Sequence, residues 1–308
     1  FGFGAELGVH AFGGSRNRSF IAEFKATRIF SSYLTFGLKG YYTFHDVNVY
    51  GDDAVNNLKR WSRVRVGEYR ELKQGGSAIF GTQLERLGTV TVEGRLENQR
   101  VWSFFGQPFE TESYQIGALR FGVKVDNQDH YPFPRKGVLM DFSYESAVIP
   151  ARSGVGFTKM SFSYDWYQTY GRNTFHPRVR FGFADETLPI TEQFTLGGQG
   201  SFYGLLEDNS RGRQLLVASL EYRYHSPVKI FFDTHLIARY DLGSIWTAPA
   251  EVRLVDLRHG IGAGIALDTP IGPVEFSVGR SFFFRKELLN NPVSLGPLLA
   301  YFSIGYAL

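Results

Sequence analysis

Serine, histidine and carboxylate side chains are the first candidates for chemistry in this chain of 308 residues. A lipase-type nucleophile needs Gly-x-Ser-x-Gly at a turn from strand to helix, and Ser77 and Ser201 lack flanking glycines at that spacing. The chain contains neither a His-Glu-x-x-His motif nor a phosphate loop, and its seven histidines are scattered singly. His235, close in sequence to Asp233 and Arg239, is interpreted as a hydrogen-bonding residue and not as a general base. We therefore predict no enzyme, metal site or cofactor, although serine, histidine and aspartate from separate strands could still form a hydrolase site.

The charge balance argues against a nucleic-acid partner. The chain has 33 Lys and Arg residues and 30 Asp and Glu residues, so positive and negative charges nearly balance and the formal charge is only +3. The chain contains no cysteine, which excludes a disulfide scaffold and any cysteine-ligated metal, and is compatible with export to an oxidising compartment.

Apolar and polar residues alternate with a period of two through most of the chain, which predicts strands. One clear segment has an apolar face and a face that carries charges. The apolar face comprises Ile230, Phe232, Thr234, Leu236, Ala238 and Tyr240. The other face comprises Phe231, Asp233, His235, Ile237, Arg239 and Asp241.

A soluble β-sandwich, a lipocalin-like barrel and a membrane barrel would all alternate in this way. The apolar faces here carry bulky side chains over about ten residues, the length that a tilted strand needs to cross a bilayer, whereas the polar faces carry small residues and opposed charges. Aromatic residues reach 16%, yet mean hydropathy is slightly negative and no apolar run is long enough for a membrane helix. The sequence predicts an all-β chain that forms a transmembrane antiparallel β-barrel of the outer-membrane type.

Turn signals divide the chain into fourteen strands, from residues 3–12 to residues 298–308, with indistinct boundaries for the fourth strand within residues 61–83. An even number closes such a barrel, so sixteen strands are expected if two precede Phe1 or escape the pattern. Tight turns alternate with longer polar loops, of which residues 185–213 form the longest. Because bacterial barrels place short turns in the periplasm, Leu308 is predicted on the periplasmic side.

The chain begins at Phe1 with no initiator methionine and no basic segment followed by an apolar stretch. We expect one barrel domain over residues 1–308, from which a signal peptide and any upstream periplasmic or passenger domain have been removed or left out.

A turn at residues 129–137 contains Asp129, Phe133, Pro134 and Gly137. Its prolines fix φ, and its glycine permits a positive φ where the chain reverses. The turn resembles the acidic-then-Phe-Pro-x-x-Gly turn of the BamA/TamA superfamily of outer-membrane assembly and translocation barrels, the bacterial surface antigen family.

The segment at residues 194–205 is similar to the sixth extracellular loop of that family, which folds into the lumen and carries a Val-Arg-Gly-aromatic tip. Here the tip reads Phe202, Tyr203, Gly204, Leu205, so Tyr203 holds the arginine position. Asp241 and Glu221 are candidate partners on inward faces, and a tyrosine hydroxyl can hydrogen-bond a carboxylate less strongly than an arginine. The remaining candidate lumen residues are Asp233 and Arg239. We expect residues 185–213 to plug the barrel; a plain glycine-rich surface loop is the alternative.

Residues 240–246 and 260–273 resemble the late strands of the family and its Thr-Pro-x-Gly-Pro turn. The C-terminal segment resembles the targeting signal of outer-membrane proteins, although it ends in leucine. Its lipid-facing residues are Phe302, Ile304, Tyr306 and Leu308. In the family this strand meets the first strand at a weak seam, and Gly305 would loosen pairing there; a simple closing strand is the alternative.

The resemblance covers residues 114–308 well, whereas residues 85–92 are nearer to patatin-like autotransporter barrels. It implies an integral outer-membrane protein of a Gram-negative bacterium that assists insertion or translocation of polypeptides through the seam. The alternatives are a membrane anchor or conduit for a patatin-like autotransporter, or a short stand-alone barrel. Implied partners are outer-membrane lipid and lipopolysaccharide and a client or passenger polypeptide; a homo-oligomer or accessory proteins are left open.

Overall fold

The computed structural model describes residues 4–27, 32–84, 87–106, 111–148, 154–285 and 292–305. Within these ranges fourteen strands form one antiparallel sheet, and two short strands pair with each other. The sheet strands are β1 (Gly4–Gly13), β2 (Asn17–Thr27), β3 (Leu34–Asp52), β4 (Arg63–Leu84), β5 (Gly88–Gly106), β6 (Glu112–Asp126), β7 (Lys136–Ser146), β8 (Thr158–Tyr170), β9 (Asn173–Ala184), β12 (Gln214–His225), β13 (Asp233–Trp246), β14 (Arg258–Thr269), β15 (Gly272–Phe284) and β16 (Val293–Ile304). The short strands are β10 (Phe194–Leu196) and β11 (Ser210–Gly212).

The sheet is a meander, in which each strand pairs with the strands before and after it. The described residues form sixteen strands, of which fourteen make up the wall. The other two, β10 and β11, lie in the loop between β9 and β12. We call the end of the sheet that carries residues 53–62 and 185–213 the loop end, and the opposite end, with Gly171 and Arg172, the turn end. No helix in the described ranges is long and apolar enough to cross a membrane.

The alternation on β13 separates an exposed apolar face from a buried polar face. Leu236 and Tyr240 are 44% and 39% exposed, whereas Arg239 and Asp241 are 5% and 0% exposed. The apolar side chains therefore face outward, as the membrane interpretation requires, and the polar side chains fill the lumen.

The predicted strand at residues 228–242 is wrong at its start, because β13 begins at Asp233. Residues 226–232 form a turn in which Phe231 has a φ of 65°. Thr234, predicted on the outer face, is buried because its hydroxyl donates to the Phe232 carbonyl and accepts from the Ile230 amide.

The fourth strand, which the pattern leaves indistinct, is continuous over the 22 residues of β4. It pairs with both β3 and β5 along its length, including at Gly75 and Gly76, where no side chain marks a face. Since about ten residues suffice to cross a bilayer, the long strands β3, β4 and β5 extend beyond the membrane at the loop end.

Candidate functional site: the lumen loop and the outer strands

The segment at residues 185–213, which we call the lumen loop, enters the barrel from the loop end. Its first regular element is a single 3-10 turn, Ile190–Glu192, and the Glu192 carboxylate is buried among cations of the wall. Glu192 lies 2.8 Å from Lys73 Nζ, 3.1 Å from Arg95 Nη2 and 3.8 Å from Lys159 Nζ. Burial alone would raise the pKa of Glu192, but Lys73, Arg95 and Lys159 outweigh it, so this pKa is well below the ordinary carboxyl value.

Further polar contacts surround this turn. Arg95 also pairs with Glu97 at 3.3 Å and with Glu145 at 2.5 Å. Thr191 hydrogen-bonds Gln99 and Tyr114. Sequence reasoning did not select this cluster, because its members are spread over five strands and the loop; the signal available was only that each wall residue lies on a polar face.

The tip of the lumen loop is buried against the last strands. Phe202, Tyr203 and Leu205 are each at most 1% exposed. The backbone N–H of Tyr203 donates to Asp241 Oδ2 at 2.8 Å, and its hydroxyl donates to Glu275 at 3.0 Å. Of the two predicted partners, Asp241 therefore binds the tip backbone, whereas the carboxylate that receives the hydroxyl is Glu275.

An arginine is present at this site, but it belongs to the wall and not to the loop. Arg239 Nε donates to Asp241 Oδ1 at 2.8 Å, and its guanidinium lies 4.7 Å from the centre of the Tyr203 ring. The same guanidinium donates to the carbonyls of Gln199 and Ser201, both at 2.9 Å. The positive charge that the family places on the tip is thus supplied by Arg239 of β13, which makes a cation–π contact with the Tyr203 ring of the tip.

Gly204 is required by the backbone at the tip. Its φ is +75°, and a Cβ there would lie 2.0 Å from the Ser281 nitrogen. The close approach lets Gly204 accept a hydrogen bond from Ser281 at 2.6 Å and donate one to the Tyr301 hydroxyl at 2.8 Å. The tip is therefore bound directly to β15 and β16.

The other end of the lumen loop is bound to the first strands. Asp208 lies 3.3 Å from Arg16, between β1 and β2, and 3.0 Å from His45 on β3. Burial raises the pKa of Asp208, but its hydrogen bond with His45 and the nearby arginines lower it below the ordinary value. Arg211 pairs with Glu71 of β4 at 2.7 Å. One loop therefore connects the first strands of the sheet to the last.

Two predicted lumen partners lie away from the tip. Glu221 is 3.6 Å from His176 and 3.7 Å from Arg223. Asp233 lies near the turn end, where it pairs with Lys229 at 2.9 Å. Both side chains are on the strand faces predicted for them, but the loop tip reaches only the level of Asp241.

The turn motif folds toward the lumen at the turn end. Asp129 accepts hydrogen bonds from the amides of Arg135 at 2.8 Å and Lys136 at 3.1 Å, Pro134 is buried, and Gly137 has a φ of +110°. Phe133 stacks on His235 at 4.4 Å between ring centres. His235 is thus packed against an aromatic ring.

The C-terminal strand presents an apolar outer face. Phe302 and Ile304 are exposed, while Tyr306 and Leu308 lie outside the described residues. Gly305 follows the end of β16, has a φ of +92°, and donates to the Pro273 carbonyl at 2.9 Å. It therefore turns the chain directly after β16, and the prediction that it loosens pairing at the seam with the first strand stays a prediction.

The edges of the sheet are β1 and β16. In the described strands β1 pairs with β2 alone, and the ladder partner of β16 is β15. Nearly all of β1 is exposed, including Leu7 and Val9. Pro297 lies in β16 and has no N–H to donate, a residue type that sheets confine to edges and bulges.

Comparisons with known proteins agree with this architecture. The Omp85 superfamily domain matches residues 1–294. The outer membrane protein assembly factor BamA of Nitratidesulfovibrio vulgaris is 23% identical over 300 residues, which cover 91% of this chain and 35% of that protein. The chain thus spans about a third of the length of this curated relative.

Solved structures show the same fold. BamA from Haemophilus ducreyi lacking POTRA domains 1-3 matches with a TM-score of 0.72 and 12% identity, over 98% of this chain and 65% of that one. CdiB from Acinetobacter baumannii matches with a TM-score of 0.57 and 13% identity, over 92% of this chain and 50% of that one. The predicted all-β barrel and the resemblance to the assembly and translocation barrels are confirmed. The chain belongs to the Omp85 superfamily, as an integral outer-membrane β-barrel of a Gram-negative bacterium and not as an enzyme.

Proposed function

We propose that this barrel assists the insertion or translocation of polypeptides at the outer membrane, and that client strands pair with the edge between β1 and β16. The observation that carries the proposal is that β1 and β16 each form a strand ladder on one side only within the described residues. An unpaired strand edge presents a row of backbone donors and acceptors, which is a template for another extended chain.

The lumen loop supports the proposal because it joins the two sides of the seam, between which the described residues form no β1–β16 ladder. Asp208 holds the side of β1 to β3 through Arg16 and His45, and the tip holds β16 through Tyr301. A wall braced in this way can keep its shape while its edge strands exchange partners. The predicted role of the C-terminal strand as a seam and targeting signal remains part of this proposal.

The competing hypothesis is an anchor or conduit for a passenger domain outside this chain. A conduit requires an open lumen, whereas Glu192 and the tip residues Phe202 and Tyr203 are buried inside the barrel. This packing favours the strand-pairing role. A client or passenger polypeptide, accessory proteins, outer-membrane lipid and lipopolysaccharide are the proposed partners, and an upstream periplasmic domain is proposed in the whole protein.

Site-specific photocrosslinking tests the proposal on the full-length protein in membranes. A crosslinker is placed at Ala300 or Phe302, which are exposed on β16, and a newly made outer-membrane barrel protein is supplied as client. Matched controls at Ile261 and Ile265 are also exposed on the apolar outer face, but β14 is paired on both sides.

We expect client adducts from the two β16 positions and none from the β14 positions. Equal adduct yields at β14 and β16 would indicate nonspecific contact through the lipid. Normal client insertion without any adduct at β16 would refute the proposal.

A further inference from the structure

The loop between β3 and β4, residues 53–62, reaches the edge of β16 at the loop end. The backbone N–H of Trp61 donates to the Leu295 carbonyl at 3.0 Å, and the N–H of Leu295 donates to the Lys59 carbonyl at 2.9 Å. Arg60 and Leu295 thereby form a parallel bridge. Residues 59–61 make the contacts that a neighbouring strand would make, on the side of β16 that faces away from β15.

Trp61 anchors this contact in a fitted pocket. Its side chain is buried, and its ring lies 5.2 Å from that of Phe283. The Arg258 guanidinium lies 4.6 Å from both ring centres. A Cβ on Gly296 would lie 2.8 Å from Trp61 Cζ2, so the glycine leaves the space that the indole fills.

The loop itself is held in one shape by hydrogen bonds. The Asn56 side chain bonds both the N–H of Ser62 at 2.6 Å and its carbonyl at 2.9 Å. Asn57 Oδ1 accepts from the amides of Lys59 and Arg60, both at 2.9 Å. Such side-chain caps restrict the backbone, so residues 59–61 are presented in a preorganised conformation.

Trp61 also packs in the same apolar cluster as Phe202 and Leu205 of the lumen loop tip. The segment, the tip and the loop end of β16 therefore form one packed unit. Displacement of residues 59–61 would open this cluster and break two backbone hydrogen bonds. The packing therefore favours a segment that stays docked against β16.

We infer that residues 59–61 are a built-in stop for strand addition, which occupies the loop end of the β16 edge and limits client pairing to residues 298–304. Pro297 lies directly after the stop, where the register between β15 and β16 shifts, and it has no N–H to donate. The remaining edge of seven residues, about 23 Å long, is shorter than the roughly ten residues with which a tilted strand crosses the bilayer, so it pairs with only part of a client strand. Its outer face, Leu298, Ala300, Phe302 and Ile304, fits a client strand with apolar residues at alternate positions.

This inference rests on the proposed function, and crosslinking can separate the two. A photocrosslinker at Leu295 is compared with one at Ala300 in the full-length protein, during insertion of a barrel client. Two variants disturb the indole pocket: Trp61→Ala empties it, and Gly296→Ala crowds it. Leu58→Ala, at an exposed residue of the same loop, is the control. An Arg60→Cys/Leu295→Cys disulfide locks the stop in place.

In the parent protein and in Leu58→Ala we expect client adducts at residue 300 and a much lower adduct yield at residue 295. Trp61→Ala and Gly296→Ala should raise the adduct yield at residue 295 about tenfold, since two backbone hydrogen bonds and the indole packing are weakened. The locked protein should insert clients at the parent rate.

Adducts at residue 295 as strong as those at residue 300 in the parent protein would overturn the stop and leave the proposed function intact. A locked protein that no longer inserts clients would also overturn it, because the segment would then be a gate that has to move. Absence of adducts along the whole edge during normal insertion would refute the proposed function, and the stop with it.

Discussion

Glu192→Gln tests whether charge holds the lumen loop inside the barrel. The substitution keeps the size and the hydrogen-bonding oxygen of the side chain but removes its charge. Arg95 would retain Glu97 and Glu145, whereas Glu192 is the carboxylate that pairs with Lys73 and Lys159 in the described part of the chain. Lys73 would lose the carboxylate with which it pairs, and Lys159 would keep only the weaker interaction with Glu145.

The expected cost follows from burial. Removal of one partner from a buried ion cluster costs about 3–5 kcal/mol, because the remaining charges stay desolvated. At about 3 kcal/mol the population of molecules with a released loop would rise about 100-fold. Glu207→Gln is the matched control in the same loop, since Glu207 is 62% exposed and its pair with Arg16 contributes about 0–1 kcal/mol.

Trypsin cleavage on whole cells measures the release, because Arg211 and Arg213 are reachable by the protease only when the loop leaves the lumen. Glu192→Gln should be cleaved much faster than the parent protein, and Glu207→Gln should be cleaved at the parent rate. Equal protection of Glu192→Gln and the parent would refute the electrostatic account of loop docking.

The pH dependence has a defined sign. The pKa of Glu192 is lower in the folded protein than its ordinary value of 4.5, so the carboxylate stabilises the docked loop above that value. This contribution is lost only as the pH falls through the lower, folded pKa. The difference in the midpoint of urea unfolding in lipid between the parent and Glu192→Gln should therefore persist at pH 4.5 and shrink in more acidic buffer. A difference that vanishes well above pH 4.5 would contradict the pKa shift.

Three further substitutions test the tip and the seam. Gly262→Ala would place a Cβ 2.1 Å from Tyr203 Cδ2, so urea unfolding in lipid should show a free energy of unfolding lower by about 1–3 kcal/mol. Gly40→Ala, with open space around its Cβ, should lower it much less, and equal losses would contradict the fit of the tip. Tyr203→Phe removes the hydrogen bond to Glu275 and should cost about 1–3 kcal/mol in the same titration, and an unchanged midpoint would show that the hydroxyl does not brace the lumen. A chemical crosslink between cysteines at Leu7 and Phe302 should abolish client insertion and reduction of a cleavable linker should restore it; full activity in the linked state would argue against a working seam.

Local patterns predict the wall of this barrel well. On β13 the alternation identifies Leu236 and Tyr240 as outward and Arg239 and Asp241 as inward, because successive side chains of a strand point to opposite faces. The failures are at strand ends, as with Thr234, where side-chain hydrogen bonds in a turn override the alternation.

The same reasoning could select the inward carboxylates but could not say which of them meets the tip. Glu221, Asp233 and Asp241 are all predicted on inward strand faces. The depth to which the lumen loop enters the barrel decides which of them contacts the tip. That depth depends on how Tyr203 fits beside Gly262 and Gly279, which no alternation pattern encodes. Glu275 was overlooked for this reason.

The sequence by itself determined the strands, the two faces of the wall and the membership of the superfamily, since these depend on neighbours in the chain and on short motifs. Only the tertiary structure showed the Glu192 cluster and the contact of residues 59–61 with Leu295. The pairs that form them are far apart in sequence, as with Lys73 and Glu192 at 119 residues. Such pairs meet because the lumen loop folds inward and the sheet curves so that its first strands approach its last. No local sequence pattern predicts which residues then come into contact.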